Sequence, residues 1–192
     1  MGVKDAAASL KEVDDYKVDL ENRIIYLMGS VNESMVAKFL PAFKALEHST
    51  SPVTIIMHSN GGDPEDGFAI YNIIKDSHLK VKGIVLGKCH SMMSLILQAC
   101  KTREMYNSAW MLVHPGTFRA AGHSPNVISA VKSEIATLER MHSIYYEKYY
   151  KSRSKKDQEW SEKKFKEYFN QDRYLTALDA LRFGFIDKIL GD

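Results

Sequence analysis

Four stretches of this chain combine reactive residue types with a local pattern that would hold them at an accessible edge. The first is Gly87-Lys88-Cys89-His90-Ser91-Met92-Met93-Ser94, between an apolar run ending at Leu86 and a second apolar run from Met92 to Ala99. A serine at the first turn of a buried helix lies beside N–H groups that lack intrahelical acceptors and that could stabilise an alkoxide or oxyanion. Taken alone, Ser91 reads first as a helix cap. Ser94 competes with it, but one turn into the helix its hydroxyl can bond a backbone carbonyl instead.

The second stretch is Trp110-Met111-Leu112-Val113-His114-Pro115-Gly116, where an apolar strand ends on a histidine and breaks at once on Pro-Gly. Strand ends carry functional groups because a rigid sheet positions them while the following loop leaves them reachable. Seven histidines are present. His90 adjoins Ser91, but adjacent side chains diverge, which makes it a poor base for that serine. The third stretch, Gln171-Asp172-Arg173-Tyr174-Leu175-Thr176-Ala177, sets an acid just before a helix start. In a turn, Asp172 could orient an imidazole through Nδ1; by itself it is an ordinary loop residue. The fourth, His58-Ser59-Asn60-Gly61-Gly62-Asp63-Pro64, pairs two glycines with an N-cap aspartate and a proline at the first helical position, so a backbone N–H can point into open space. A lone Gly-Gly is also a plain strand-to-helix turn.

The elements that would position these groups alternate. Arg23 to Leu27, Val53 to Met57, Val81 to Leu86, Ala109 to Val113 and Phe185 to Leu190 read as strands, with helical spacing between most of them. Consecutive apolar residues in these runs predict strands covered on both faces, hence a largely parallel, buried sheet in an α/β domain. Glu33 to Glu47 has helical spacing, with Pro41 expected to kink or delay it. Pro125 to Tyr150 is the longest periodic stretch, with Val127, Val131, Ile135, Leu138, Met141 and Tyr145 at three- and four-residue steps. A helix of that length, about 40 Å at 1.5 Å per residue, exceeds what a domain this size needs to cover its sheet, and its apolar stripe is expected to meet a partner subunit. Lys151 to Lys166 is rich in charge and reads as a solvated helix or loop anchored by Trp160 and Phe165. Thr176 with Asp179 predicts a capping box, and Gly184 a helix stop.

Length and composition fit one globular domain over residues 1–192. The 192 residues carry a net charge of only +2, with acids and bases interspersed, so no nucleic-acid footprint is expected. Met1 to Tyr16 lacks the apolar core of a signal peptide, no run reaches the length of a membrane span, and position six is Ala6 where a myristoylation start needs Ser or Thr. Cys89 and Cys100 sit in an apolar stretch without metal-ligand spacing and read as buried thiols of a cytoplasmic protein.

Together the four stretches resemble the Clp protease proteolytic subunit, over about Val18 to Leu190. The family's Ser-Pro-Gly-Gly stands here as Ser59-Asn60-Gly61-Gly62, its Gly-x-Ala-Ala-Ser-Met as Gly87-Lys88-Cys89-His90-Ser91-Met92, and its Met-Ile-His-Gln-Pro as Leu112-Val113-His114-Pro115-Gly116. Its Asp-Arg-x-hydrophobic-Ser-Ala stands as Asp172-Arg173-Tyr174-Leu175-Thr176-Ala177, followed by Gly184-Phe185-Ile186-Asp187. The order of the four motifs is what makes the likeness specific.

The resemblance implies a ClpP/crotonase-like α/β fold of repeated β-β-α units with a protruding long helix. It implies a triad of Ser91, His114 and Asp172, an oxyanion hole from the N–H groups of Gly62 and Met92, and no metal or organic cofactor. It also implies a homo-oligomer of two stacked heptameric rings joined through the long helix (125–150), with residues 1–17 as an axial segment and an ATP-driven AAA+ unfoldase feeding in unfolded polypeptide.

The departures lie close to the triad. Asn60 replaces proline, His90 and Met93 replace small residues and could narrow the site, Pro115-Gly116 replaces Gln-Pro, and the span between His114 and Asp172 is several residues longer. Two other readings stay open on sequence alone. A crotonase-type acyl-CoA enzyme shares the fold and a Gly-Gly oxyanion hole without needing a nucleophile, and an inactive ring subunit would only assemble with an active one.

Overall fold

The apolar runs form strands of one sheet, but along them buried residues alternate with partly exposed ones, so one face is packed and the expectation of cover on both faces is not met. The computed structural model describes residues 17–152 and 159–191, so the expected axial segment lies outside the described residues apart from Lys17. Eight strands occur among the described residues: β1 (Val18–Asp19), β2 (Ile24–Val31), β3 (Val53–Gly62), β4 (Val81–His90), β5 (Thr102–Tyr106), β6 (Trp110–Val113), β7 (Arg173–Thr176) and β8 (Lys188–Leu190). The helices are α1 (Glu33–Leu46), α2 (Pro64–Asp76), α3 (Met92–Leu97), α4 (Ser124–Lys151), α5 (Glu162–Phe169) and α6 (Ala177–Arg182). The strand order is β1-β2-β3-β4-β5-β8, parallel from β2 onward, with β1 added antiparallel at one edge.

The feature that matters for function is a split in β4. Its first half, Lys82 to Val85, pairs with β5, and its second half, Lys88 to His90, leaves that partner and pairs with β6. β6 then pairs antiparallel with β7. The strand that leads into Ser91 is therefore shared between the main sheet and a small three-strand unit.

Local chemistry explains the helix starts. Asn32 caps α1 by accepting the Met35 N–H, and the helix runs through Pro41 without ending, so the anticipated delay does not occur. Asp63 caps α2 by accepting the N–H groups of Glu65 and Asp66, with Pro64 in the first turn. Thr176 and Asp179 form the expected capping box at α6. α1 packs on β2 and α2, α2 on α3, and α3 on α4, so the core closes around Phe43, Ile55, Met57, Leu95 and Met105, all with no exposed surface.

One expectation holds and another needs correction. Where described, the Lys151 to Lys166 stretch is largely exposed and anchored by Phe165, as expected. Although 153–158 lie outside the described residues, α5 buries Phe165 and Phe169 completely against Tyr149, Phe183 and Phe185, in one aromatic cluster. The long helix is not a free stripe throughout: of the residues expected on it, Met141 and Tyr145 are buried in their own chain, while Val131 and Ile135 stand exposed, with Ile128 exposed nearby. No helix among the described residues is long and apolar enough to cross a membrane.

Candidate active site

Ser91 sits at the junction of β4 and α3 with φ 52° and ψ −128°. A side-chain-bearing residue rarely adopts this left-handed backbone, and it persists only where the surroundings force it. The forcing contacts are visible. Ser91 N–H bonds the Leu112 carbonyl at 2.8 Å. Ser94, fully buried, donates to the Ser91 carbonyl at 2.7 Å and to the Leu112 carbonyl at 3.1 Å, and its hydroxyl meets the Tyr145 hydroxyl at 2.7 Å. Burial holds the Tyr145 phenol well above its ordinary pKa. The competitor serine is thus a structural tie between the Ser91 turn, β6 and α4. The hydroxyl of Ser91 makes no capping bond.

Gly61 faces this turn from β3, and Gly62 lies against Val31 of β2. A Cβ on Gly61 would lie 2.7 Å from the Ser91 Cβ and 2.9 Å from the Met92 nitrogen, and one on Gly62 would lie 2.1 Å from the Val31 carbonyl. No larger residue could bring the β3 end so close. Buried Ser59 shapes the approach by accepting the Gly61 N–H at 2.9 Å.

β6 sets the remaining spacing. His90 pairs with Leu112, and Val113 pairs with Arg173, so the residues just beyond these strand ends come together: Ser91 on one side of β6, His114 at its end, Asp172 on the other. His114 Nδ1 lies 3.3 Å from Asp172 Oδ1, an ion-pair distance, longer than a well-formed charged hydrogen bond. The His114 side chain is 20% exposed and that of Asp172 62%. No hydrogen bond joins Ser91 to His114 among the described residues; both instead line one cleft of about 370 Å³ with Gly62, Met92, Leu112 and Met141. Loose apo contacts of this kind are usual before substrate binds.

The comparisons with known proteins bear on this arrangement. The model of the Clp protease family matches residues 7–192. The chain belongs to the Clp protease family. Among solved structures it is similar to a point mutant of ClpP1 from Listeria monocytogenes, at 22% identity and a TM-score of 0.76, over 90% of this chain and 94% of that one. That likeness carries the ClpP fold, and the family is one of serine peptidases. Family membership, not the shared fold, favours the peptidase reading over the acyl-CoA one.

Against the family motifs, the departures fall unequally. Asn60, Pro115 and Gly116 line the cleft. Met93, expected to narrow the site, is instead fully buried in the core and does not line the cleft. His90 stacks edge-on against Tyr174 with its Nε2 buried and unpartnered, and burial lowers its pKa. Sequence reasoning missed Phe118, Glu134 and Thr137, which also line the cleft. For the two on α4 a signal existed: they precede Met141 by seven and four residues, on the same helix face. Cys89 and Cys100 are buried thiols; burial pushes Cys100 up to about 12, which rules out a thiolate there near neutral pH.

Proposed function

We propose that this protein is a Clp-type serine endopeptidase that cleaves unfolded polypeptides within a chamber built from copies of itself. The observation that carries the reading is the strained Ser91 turn opening into the same cleft as His114, which in turn lies against Asp172. Strained strand-to-helix turns are how hydrolases expose a nucleophilic serine.

In the reaction, His114 takes the Ser91 hydroxyl proton as Oγ attacks the peptide carbonyl. The tetrahedral oxyanion is held by the N–H groups of Gly62 and Met92, the latter a first-turn donor without an intrahelical acceptor. Collapse expels the amine, which takes the proton from the His114 imidazolium, and leaves an acyl group on Ser91. Water attacks this ester with His114 again as base, and the acid product leaves. Asp172 fixes the imidazole tautomer and stabilises its charged form. Apolar Ile128, Val131 and Ile135 on α4 support self-association into stacked rings. The family relationship supports a tetradecamer fed by an AAA+ unfoldase, and two unpaired thiols suit a cytoplasmic setting.

A fluorophosphonate probe tests the reading on the full chain. Ser91 is expected to carry the adduct, and Ser91→Ala to abolish both labelling and peptide hydrolysis while the fold survives. Labelling at Ser94 would overturn the assignment of the nucleophile, and no labelling in an assembled particle would overturn the reading and leave an inactive ring subunit as the alternative.

A further inference from the structure

The cleft beside Ser91 is apolar over most of its wall, with Met92, Leu112, Pro115, Phe118 and Met141, yet it contains one carboxylate, Glu134. Glu134 is half-buried on α4 and shares a helix face with Thr137 and Met141, so it stands inside the cleft's lining. Its neighbours on the helix are neutralised: Glu139 pairs with Lys166 at 2.5 Å, and Glu147 pairs with Lys151. Glu134 takes no ion pair or hydrogen bond among the described residues. The nearby cations are otherwise placed. Arg140 lies over the Phe68 ring, and Lys132, Arg119 and His123 are exposed and do not line the cleft.

An apolar substrate side chain filling this space would strip water from the Glu134 carboxylate and return nothing, which penalises binding. An acidic one would add repulsion. A side chain with an aliphatic stem and a cationic head meets both demands: its methylenes lie on methionine, leucine and phenylalanine, and its head reaches the carboxylate. Resting on the peptidase reading above, we infer that Glu134 is a specificity-determining residue and that the cleft selects lysine or arginine at the residue whose carbonyl Ser91 attacks. The selection acts on substrate, not on His114, so it shows as a ratio between substrates.

Three fluorogenic peptide amides, identical except for arginine, norleucine or glutamate at that residue, test it on the assembled protein. The arginine peptide is expected to exceed norleucine in kcat/KM by about tenfold, and Glu134→Gln to bring that ratio down toward one, one hydrogen bond to a charged group being worth about that order. Glu134→Lys should move preference toward glutamate. An unchanged ratio in Glu134→Gln, or an equal fall for all three peptides, overturns the inference; the latter would mark Glu134 as positioning His114. Binding of fluorescein-labelled peptides ending in the same three residues to Ser91→Ala, read by anisotropy, separates the two claims. Arginine preference that depends on Glu134 without any turnover in the native protein would uphold the cleft and refute the peptidase reading, whereas binding without preference would overturn the cleft even in an active enzyme.

Discussion

Replacing Ser91 by glycine should stabilise the protein relative to replacing it by alanine. The backbone at this position, φ 52° and ψ −128°, is one that glycine adopts freely and that costs a residue with a Cβ about 1–3 kcal/mol. Against that gain, glycine adds freedom to the unfolded chain worth about 0.5–1 kcal/mol. Neither variant loses a side-chain bond, because the Ser91 hydroxyl caps nothing, and both keep the N–H bond to the Leu112 carbonyl. Taking the middle of each range leaves Ser91→Gly about 1 kcal/mol more stable than Ser91→Ala. Urea unfolding followed by tryptophan fluorescence, at one protein concentration and with matched oligomeric state, would read it. In a chain of this size the same difference amounts to about 2–4 °C in Tm. Should Ser91→Ala prove as stable as Ser91→Gly, the turn holds no strain and the case for an exposed, forced nucleophile loses its physical basis.

Asp172→Asn should lower kcat by roughly four orders of magnitude, because the amide cannot hold His114 in the right tautomer, while leaving the melting temperature almost unchanged at so exposed a side chain. Asp187→Asn should do the reverse. Its carboxylate accepts the backbone N–H, Nε and an Nη of Arg103, a buried side chain, so the change should cost about 2–3 kcal/mol of stability in urea with per-molecule turnover retained. Ile128→Glu with Ile135→Glu should reduce the mass found by light scattering without unfolding the chain, whereas a charge at buried Tyr145 should unfold it. Burial lowers the pKa values of His90 and His142, so the unfolded chain takes up their protons first; stability present above about pH 6.5 should fall as the pH drops below it, and His90→Asn should flatten that slope.

Strands β2, β3 and the first half of β4 were legible from their apolar runs, although only one face of each is fully buried: Ile25, Leu27, Ile55, Met57 and Val85 lie in the core while the residues between them are partly exposed. β5 was not. In Thr102–Tyr106 the inward positions are Arg103 and Met105, and the buried arginine is satisfied by Gln98 and, far along the chain, by Gly184 and Asp187. A charged residue in the sequence hid a buried position. β7 was missed for a related reason: of its four residues only Leu175 is buried, so there was no period to read. The capping signals at Asp63 and Thr176 could be read because a cap is satisfied within three residues. The long helix was expected over 125–150 and spans Ser124–Lys151, but periodicity marks only a face of a helix and does not say which half of that face the body covers. The four motifs therefore nominated the site residues, and the pairing of β6 with β4 and β7 brings them together.

That pairing also explains what the extended stretch before Asp172 does. Ser91 is anchored in the core through Ser94, Leu112 and Tyr145, but Asp172 hangs beyond the end of β7, a four-residue strand paired only to β6. Two short antiparallel strands hold one another weakly. The adjacent Arg173 supplies what the pairing lacks: its Nε donates to the Tyr168 carbonyl at 2.8 Å, and its guanidinium lies 3.9 Å from the centroid of the Tyr168 ring. Tyr168 belongs to α5, and α5 is fastened by Phe165 and Phe169 in the aromatic cluster with Phe183 and Phe185. The charged stretch that looked like a solvated addition thus ends in a buttress for the residue before β7. Loosening α5 would act on Asp172 directly, through Tyr168 and Arg173, and on Ser91 by a longer route, through Phe185 to Tyr145, whose hydroxyl meets Ser94.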